Sequence, residues 1–224
     1  MRETPRVNED DRVDVREAER VQDELRALVE LGEAGPQELG TVAGLDVSYA
    51  GDRLAAAVVV LDAVTLQTVE EVVVTGTPTF PYVPGLFAFR ELPALLEALE
   101  KLTVQPDLLV CDGYGLAHPR RFGLACHVGV LTGLPSIGVA KTAFIGTCEP
   151  PGPGRGDASP LLVDGEVLGR VLRTQRGIKP VYVSVGHRID LDTACRHVLA
   201  LSPRYRLPET TRRADRLSRR ALVE

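Results

Sequence analysis

Apolar residues recur at helical spacing near the start of the chain. Val13, Val21, Leu25, Leu28 and Val29 stand among charges over residues 10–32, and Gly32 follows. The pattern predicts an amphipathic helix closed at that glycine. The period then changes. TVAGLDVSYA (41–50), LAAAVVVLD (54–62) and TVEEVVVTG (68–76) are strand-like runs, divided by Gly51-Asp52 and by Thr65-Leu66-Gln67. Both dividers are short enough for hairpins. After a Pro-rich loop, LLEALEKL (95–102) reads as helix and DLLVCDG (107–113) as a buried strand ending in a loop. FGLACHVGVLTG (122–133) reads as helix and PSIGVAK (135–141) as a short strand. A Pro- and Gly-rich stretch, 146–160, precedes PLLVDGEVLGRVLR (160–173), a hairpin turning at Asp164-Gly165, and the strand KPVYVSVG (179–186). LDTACRHVLALS (191–202) and the basic TTRRADRLSRRALV (210–223) are helical.

Three antiparallel strands followed by helix–strand–helix–strand is the order of a ribonuclease H-like α/β fold: a mixed sheet, antiparallel then parallel, flanked by helices. By analogy with that fold, the first strand lies centrally and the fourth pairs beside it in parallel. The 224 residues are 44% hydrophobic and 25% charged, which suits one domain over 1–224. Residues 1–10 are expected to be flexible and 146–160 to form a surface loop.

Composition narrows the function. No run of about 18 apolar residues is present, and the N-terminus is too polar for a signal peptide. The expectation is a cytoplasmic setting with four reduced cysteines, no membrane partner and a monomeric state. Cys111, Cys126, Cys148 and Cys195 form no C-x-x-C pair, so a structural zinc site has little support. The net charge of −5 hides an asymmetry. Residues 1–100 carry 8 Lys and Arg against 20 Asp and Glu, whereas residues 101–224 carry 18 against 11. A basic half can face phosphates; the alternative is two ordinary solvated faces.

The candidate chemistry is carboxylate chemistry. Asp46 interrupts an apolar strand, which is costly unless its charge is compensated. Asp112 ends LLVCD, where a parallel strand delivers residues to the working edge of an α/β sheet. If these strands are neighbours, the two carboxylates lie about one strand spacing apart, roughly 5 Å. Either one protonates or a hard divalent ion sits between them, and Mg²⁺ suits oxygen ligands with retained waters. Glu91 could supply a third oxygen. Asp215, among Arg212, Arg213, Arg216 and Arg219, is either a fourth ligand or a helix-surface ion-pair partner. His118, six residues after Asp112, could donate to phosphate or position water, and Lys141 suits a phosphate or leaving-group charge; surface solvation is the alternative for both. His127, His187 and His197 read as structural. FPYVPGLFAF (80–89) concentrates four of the ten Phe and Tyr residues and runs directly into Arg90 and Glu91.

The segments GLDVSYAG, PYVPGLFAFRE, CDGYGLAHPRRFGLACHVGVLTGLPSIGVAKT, VDGEVLGRVLRT and KPVYVSVGHRIDLDTA together resemble the endonuclease V family, over about residues 12–220. The resemblance implies a Mg²⁺-dependent phosphodiesterase, with Mn²⁺ as a substitute. The family cleaves DNA containing deoxyinosine at the second phosphodiester bond 3′ to the lesion, leaving a 3′-hydroxyl and a 5′-phosphate; RNA containing inosine is also a family substrate. The resemblance makes Asp46, Glu91 and Asp112 the metal carboxylates and His118 and Lys141 the further catalytic residues. It makes Tyr82 a strand-separating wedge stiffened by Pro81 and Pro84. Gly85, Phe87, Gly113, Gly115, Gly123 and Leu124 become the hypoxanthine pocket, while Phe80 and Phe89 are packing residues. The chain departs from the usual pattern at Phe87, often Leu, and at Thr210, commonly Pro; some members have His in place of Asp215. Two other classes remain: a sugar-kinase or actin-like phosphotransferase, which normally needs two such domains, and a non-catalytic inosine-binding module.

Overall fold

The computed structural model describes residues 9–223, with side chains from Val15 onward. Residues 1–8, most of the segment expected to be flexible, lie outside the described residues. Helix α1 spans Glu9–Arg26. Strands β1 (Thr41–Ala50), β2 (Arg53–Asp62) and β3 (Thr68–Gly76) follow, then α2 (Ala88–Glu100), β4 (Leu108–Cys111), α3 (Leu124–Thr132) and β5 (Ser136–Ala140). The chain continues through β6 (Ala158–Val163), β7 (Glu166–Leu172), β8 (Val181–His187), α4 (Leu191–Ala200) and α5 (Glu209–Val223).

All eight strands join one sheet in the order β3-β2-β1-β4-β5-β8-β7-β6. β1 pairs with β2 antiparallel and with β4 parallel, Leu45 opposite Cys111. The expected central first strand is therefore present. Beyond β5 the sheet turns antiparallel again, an arm formed by β8, β7 and β6 that periodicity alone did not place. Asp164 and Gly165 both take positive φ at the β6–β7 turn, the backbone a tight type I′ hairpin requires.

Alternation along β1 sends its side chains to opposite faces. Leu45 packs with Leu92, Leu95, Leu109 and Val128, under α2 and α3. Val42 packs with Val59, Ile137, Val198 and Leu217, under α4 and α5. The sheet is thus buried on both faces, which explains the continuous apolar run of β2, buried from Leu54 to Leu61.

Two helix boundaries depart from the pattern by several residues. α1 stops at Arg26 rather than near Gly32 because tertiary contacts claim the next backbone groups. Glu30 N–H donates to His187 Nδ1 (3.2 Å), and Glu30 C=O accepts from Arg188 N–H (2.8 Å). α2 begins at Ala88, seven residues before LLEALEKL, despite Pro93 inside it. That early start puts Glu91 in the first helical turn, where the helix dipole favours a negative charge.

Candidate active site

The β1–β4 pairing carries the site. The Asp112 N–H donates to Leu45 C=O (3.2 Å), locking the end of β4 beside the middle of β1 and bringing Asp112 level with Asp46. Asp46 faces α5. There the Ser218 hydroxyl donates to Asp46 Oδ2 (2.7 Å), with Ser48 Oγ 2.8 Å from Ser218 Oγ. The helix comes this close because β1 has glycine at position 44. A Cβ there would lie 2.2 Å from the Thr210 carbonyl carbon.

Asp46, Glu91, Asp112, Lys141 and Asp215 all line one open cleft of about 710 Å³, together with Ser48, Tyr49 and Arg219. Its charges are unbalanced. Burial raises the Glu91 carboxyl well above the usual range, and the charges of Asp46 and Asp112 raise it further. Burial pushes Asp46 up to about 6; the Ser218 hydrogen bond opposes that shift, while Asp112 and Asp215 add to it. Lys141 supplies a positive charge, its Nζ 2.6 Å from Asp112 Oδ2. Asp215 is half-committed to Arg219, whose Nε lies 2.9 Å from Asp215 Oδ1.

The donor set fits a hard divalent cation. Among the described residues, no three His, Cys, Asp or Glu side chains are grouped closely enough to hold a metal ion together. Mg²⁺ does not require such a group, since it ordinarily takes one or two carboxylates and keeps several waters. Asp46 and Glu91, raised by burial and by neighbouring carboxylate charge, are in the environment such an ion relieves.

A second cavity, about 420 Å³, adjoins the cleft. Tyr82, Gly85, Phe87, Gly113, His118, Gly123 and Leu124 line it, as do Tyr114 and Phe144, whose ring centroids are 5.2 Å apart. Phe87, Glu91, Asp112, Leu124 and Lys141 border both spaces. Tyr82 is 71% exposed and meets Phe87 edge-on, ring centroids 5.5 Å apart. Phe87, 36% exposed, is a wall residue rather than core. Phe80 and Phe89 pack together at 5.6 Å, and Phe89 meets His127 at 4.9 Å.

Two residues sit apart from the grouping expected of them. Gly115 does not line the cavity. It is buried where β8 passes, and a Cβ there would lie 2.0 Å from the Val185 carbonyl oxygen. His118 borders this second cavity and not the carboxylate cleft. Its Nδ1 accepts from the Arg120 N–H (3.2 Å). Burial lowers its pKa to about 4, with Arg120 adding to the effect, and the ring is neutral. His187 and His197 are held by Glu30 N–H and Pro36 C=O.

Sequence reading missed three supports. Ser218 carried no motif. Gln22, 1% exposed on α1, donates from Nε2 to the carbonyls of Gly85 (3.0 Å) and Phe122 (3.3 Å), tying the aromatic loop to the segment that leads into α3. Arg90 donates to Phe80 C=O (2.7 Å) and covers the Tyr49 ring at 4.9 Å. Only the amphipathic setting of Gln22 hinted at contact; the others depend on tertiary neighbours.

The strand order and the carboxylates at its parallel junction define a ribonuclease H-like α/β protein. Residues 23–216 match the Endonuclease V family model, and the chain belongs to that family of nucleic-acid endonucleases. Endonuclease V of Streptomyces avermitilis is 62% identical over 211 residues, covering 93% of this chain and 92% of that protein. Its crystal structure matches with a TM-score of 0.89 at 61% identity, covering 92% of each chain. Ciona intestinalis Endonuclease V, in complex with a 24mer DNA containing an inosine followed by a ribo-adenosine, matches with a TM-score of 0.82 at 28% identity, covering 93% of this chain and 98% of that one.

Proposed function

We propose that this protein recognises deoxyinosine in DNA and hydrolyses the second phosphodiester bond 3′ to it, with Mg²⁺, leaving a 3′-hydroxyl and a 5′-phosphate. The observation that carries the reading is the shared wall: a base-sized, aromatic-flanked cavity and a carboxylate cleft joined through Phe87, Glu91, Asp112, Leu124 and Lys141. The inosine-containing DNA in the Ciona complex supports it.

A base must leave the stack before a pocket can inspect it, at a cost of a few kcal/mol. The exposed Tyr82 ring offsets part of that cost by stacking where the base was, worth about 1–3 kcal/mol. The extruded base enters between Phe87 and Leu124, where backbone groups at Gly85, Gly113 and Gly123 can read hypoxanthine O6 and N1. Gln22 holds the Gly85 carbonyl and so fixes the pocket's edge, which neutral His118 also lines. Asp46, Asp112 and Glu91 would hold the Mg²⁺ or Mn²⁺ ion, with Asp215 at the rim. When bound, the ion supplies an activated water and stabilises charge on the leaving 3′-oxygen. Lys141 places an ammonium at the junction of cavity and cleft, where it favours the phosphate's developing charge.

Nicking of an inosine-containing oligonucleotide with Mg²⁺, and its loss in EDTA, tests the reading. Asp46→Asn and Asp112→Asn should each abolish cleavage while substrate binding persists; binding without Mg²⁺-dependent cleavage by the unmodified protein would instead establish a binding module. The ribo-adenosine after inosine in the Ciona complex favours a second reading, cleavage of inosine in RNA. Matched deoxyinosine and ribose-inosine strands, assayed in parallel, separate the two.

A further inference from the structure

α5 serves the carboxylate cleft with one face, through Asp215, Ser218 and Arg219. Its neighbouring face does something else. Arg212, Arg213, Arg216 and Arg220 line a concavity of about 380 Å³ against β3. Arg212 and Arg213 also line a second one, about 570 Å³, with Arg204 and Tyr205. Glu71 and Glu209 are the acidic residues in these walls, so five arginines face two carboxylates. Arg204 and Arg216 are exposed and make no ion pair among the described residues. Arg212 lies 4.2 Å over the Tyr205 ring, which is 49% exposed, and Arg212 Nε is buried with no acceptor among the described residues.

Arg212 and Arg213 share Glu209 (2.9 and 3.4 Å) and Arg213 also donates to Thr68 (2.8 Å), but one shared carboxylate does not offset the like charges along this face, whose repulsion costs stability. We infer that the Arg204–Arg220 face is a docking surface for the phosphodiester backbone of substrate DNA beyond the cleaved site. The inference rests on the proposed function and extends it from the scissile bond to the flanking DNA. Geometry and charge both suit this occupant. Arg212 to Arg220 covers about 12 Å of helix, the length over which one strand of a duplex presents roughly three or four phosphates. The face is continuous along α5 with the cleft that holds the carboxylates, so one strand can pass from the cleft onto it. Planar guanidinium groups match phosphate oxygens in pairs, and the acidic first half of the chain keeps the rest of the surface from competing for the same backbone.

The test is the double variant Arg204→Ala/Arg216→Ala, which removes two charges that support no fold contact. Affinity for inosine-containing duplexes is measured in EDTA over a salt series, with flanks lengthened stepwise on each side. On long duplexes the slope of log affinity against log salt should become shallower by about 2 in the variant. On duplexes cut close to the inosine, wild type and variant should coincide. Equal slopes at every flank length overturn the inference and leave this face to a partner other than DNA. Mg²⁺-dependent cleavage of the short duplex reads the proposed function separately. If it fails while the slope difference persists, the inosine reading falls and the DNA surface stands.

Discussion

Ser218 shows how a single hydroxyl can govern the charge of a buried acid. Burial resists ionisation of Asp46, and the 2.7 Å bond from Ser218 is the largest influence opposing it. Removing that donor raises the Asp46 pKa further and weakens its competence as a metal ligand. Hydrogen bonds to charged groups contribute about 1.5–3 kcal/mol, so Ser218→Ala should raise the Mg²⁺ concentration for half-maximal cleavage by roughly tenfold or more. Ser218→Thr, which keeps the hydroxyl, should restore most of it. Unchanged Mg²⁺ dependence in the alanine variant would show that Ser218 only packs. Glycine is similarly specific at residue scale: Gly115 resembles a pocket residue in sequence, yet its missing Cβ is needed by β8 rather than by a ligand.

At the scale of elements, the site depends on α5 lying flat on β1 and on the aromatic loop being held from behind. Gly44→Ala would push a Cβ into backbone at Thr210, which cannot rotate away. Overpacking of this kind typically costs 1–3 kcal/mol. Denaturant unfolding should register a loss of about that size, and cleavage should fall more than the loss of folded protein explains, because Ser218 and Asp215 move with the helix. The loop 80–87 is anchored by Gln22 and Arg90 while Tyr82 projects into solvent. Tyr82→Ala should therefore leave stability unchanged and weaken inosine discrimination more in duplex than in single-stranded substrate. A uniform loss on both substrates would remove the wedge assignment.

For the whole molecule, the stability–pH profile follows from which groups are buried in which form. His127 is 1% exposed between Phe89 and Phe122, and burial lowers its pKa to about 4, with His118 adding to the shift. The unfolded chain, near 6.5, takes up the proton first. Stability from this residue is therefore full above about pH 6.5 and is lost as pH falls toward 4, by up to about 3 kcal/mol. Asp46 has the opposite sign: its folded pKa of about 6 exceeds the unfolded value, so acidification through that range favours the folded state. Denaturant midpoints of the metal-free protein from pH 7 to 4, compared with His127→Gln, isolate the histidine. The variant should lose less stability on acidification than wild type.

Periodicity alone was enough to place β1, with its ends at Thr41 and Ala50, and to mark Asp46 as a charge in an apolar strand, because burial on both faces of a sheet leaves a continuous hydrophobic run. The same logic located β4 and Asp112, and the aromatic loop leading to Glu91. Local sequence could not end α1 at Arg26, because Glu30 is claimed by His187 and Arg188, far along the chain at the end of β8. Nor could it attach β8, β7 and β6 to β5, assign Ser218 to Asp46, or separate Gly115 from the glycines that line the cavity. Those outcomes depend on which backbone passes within a few ångströms of which residue. Such proximity is a property of the packed chain, not of any stretch within it.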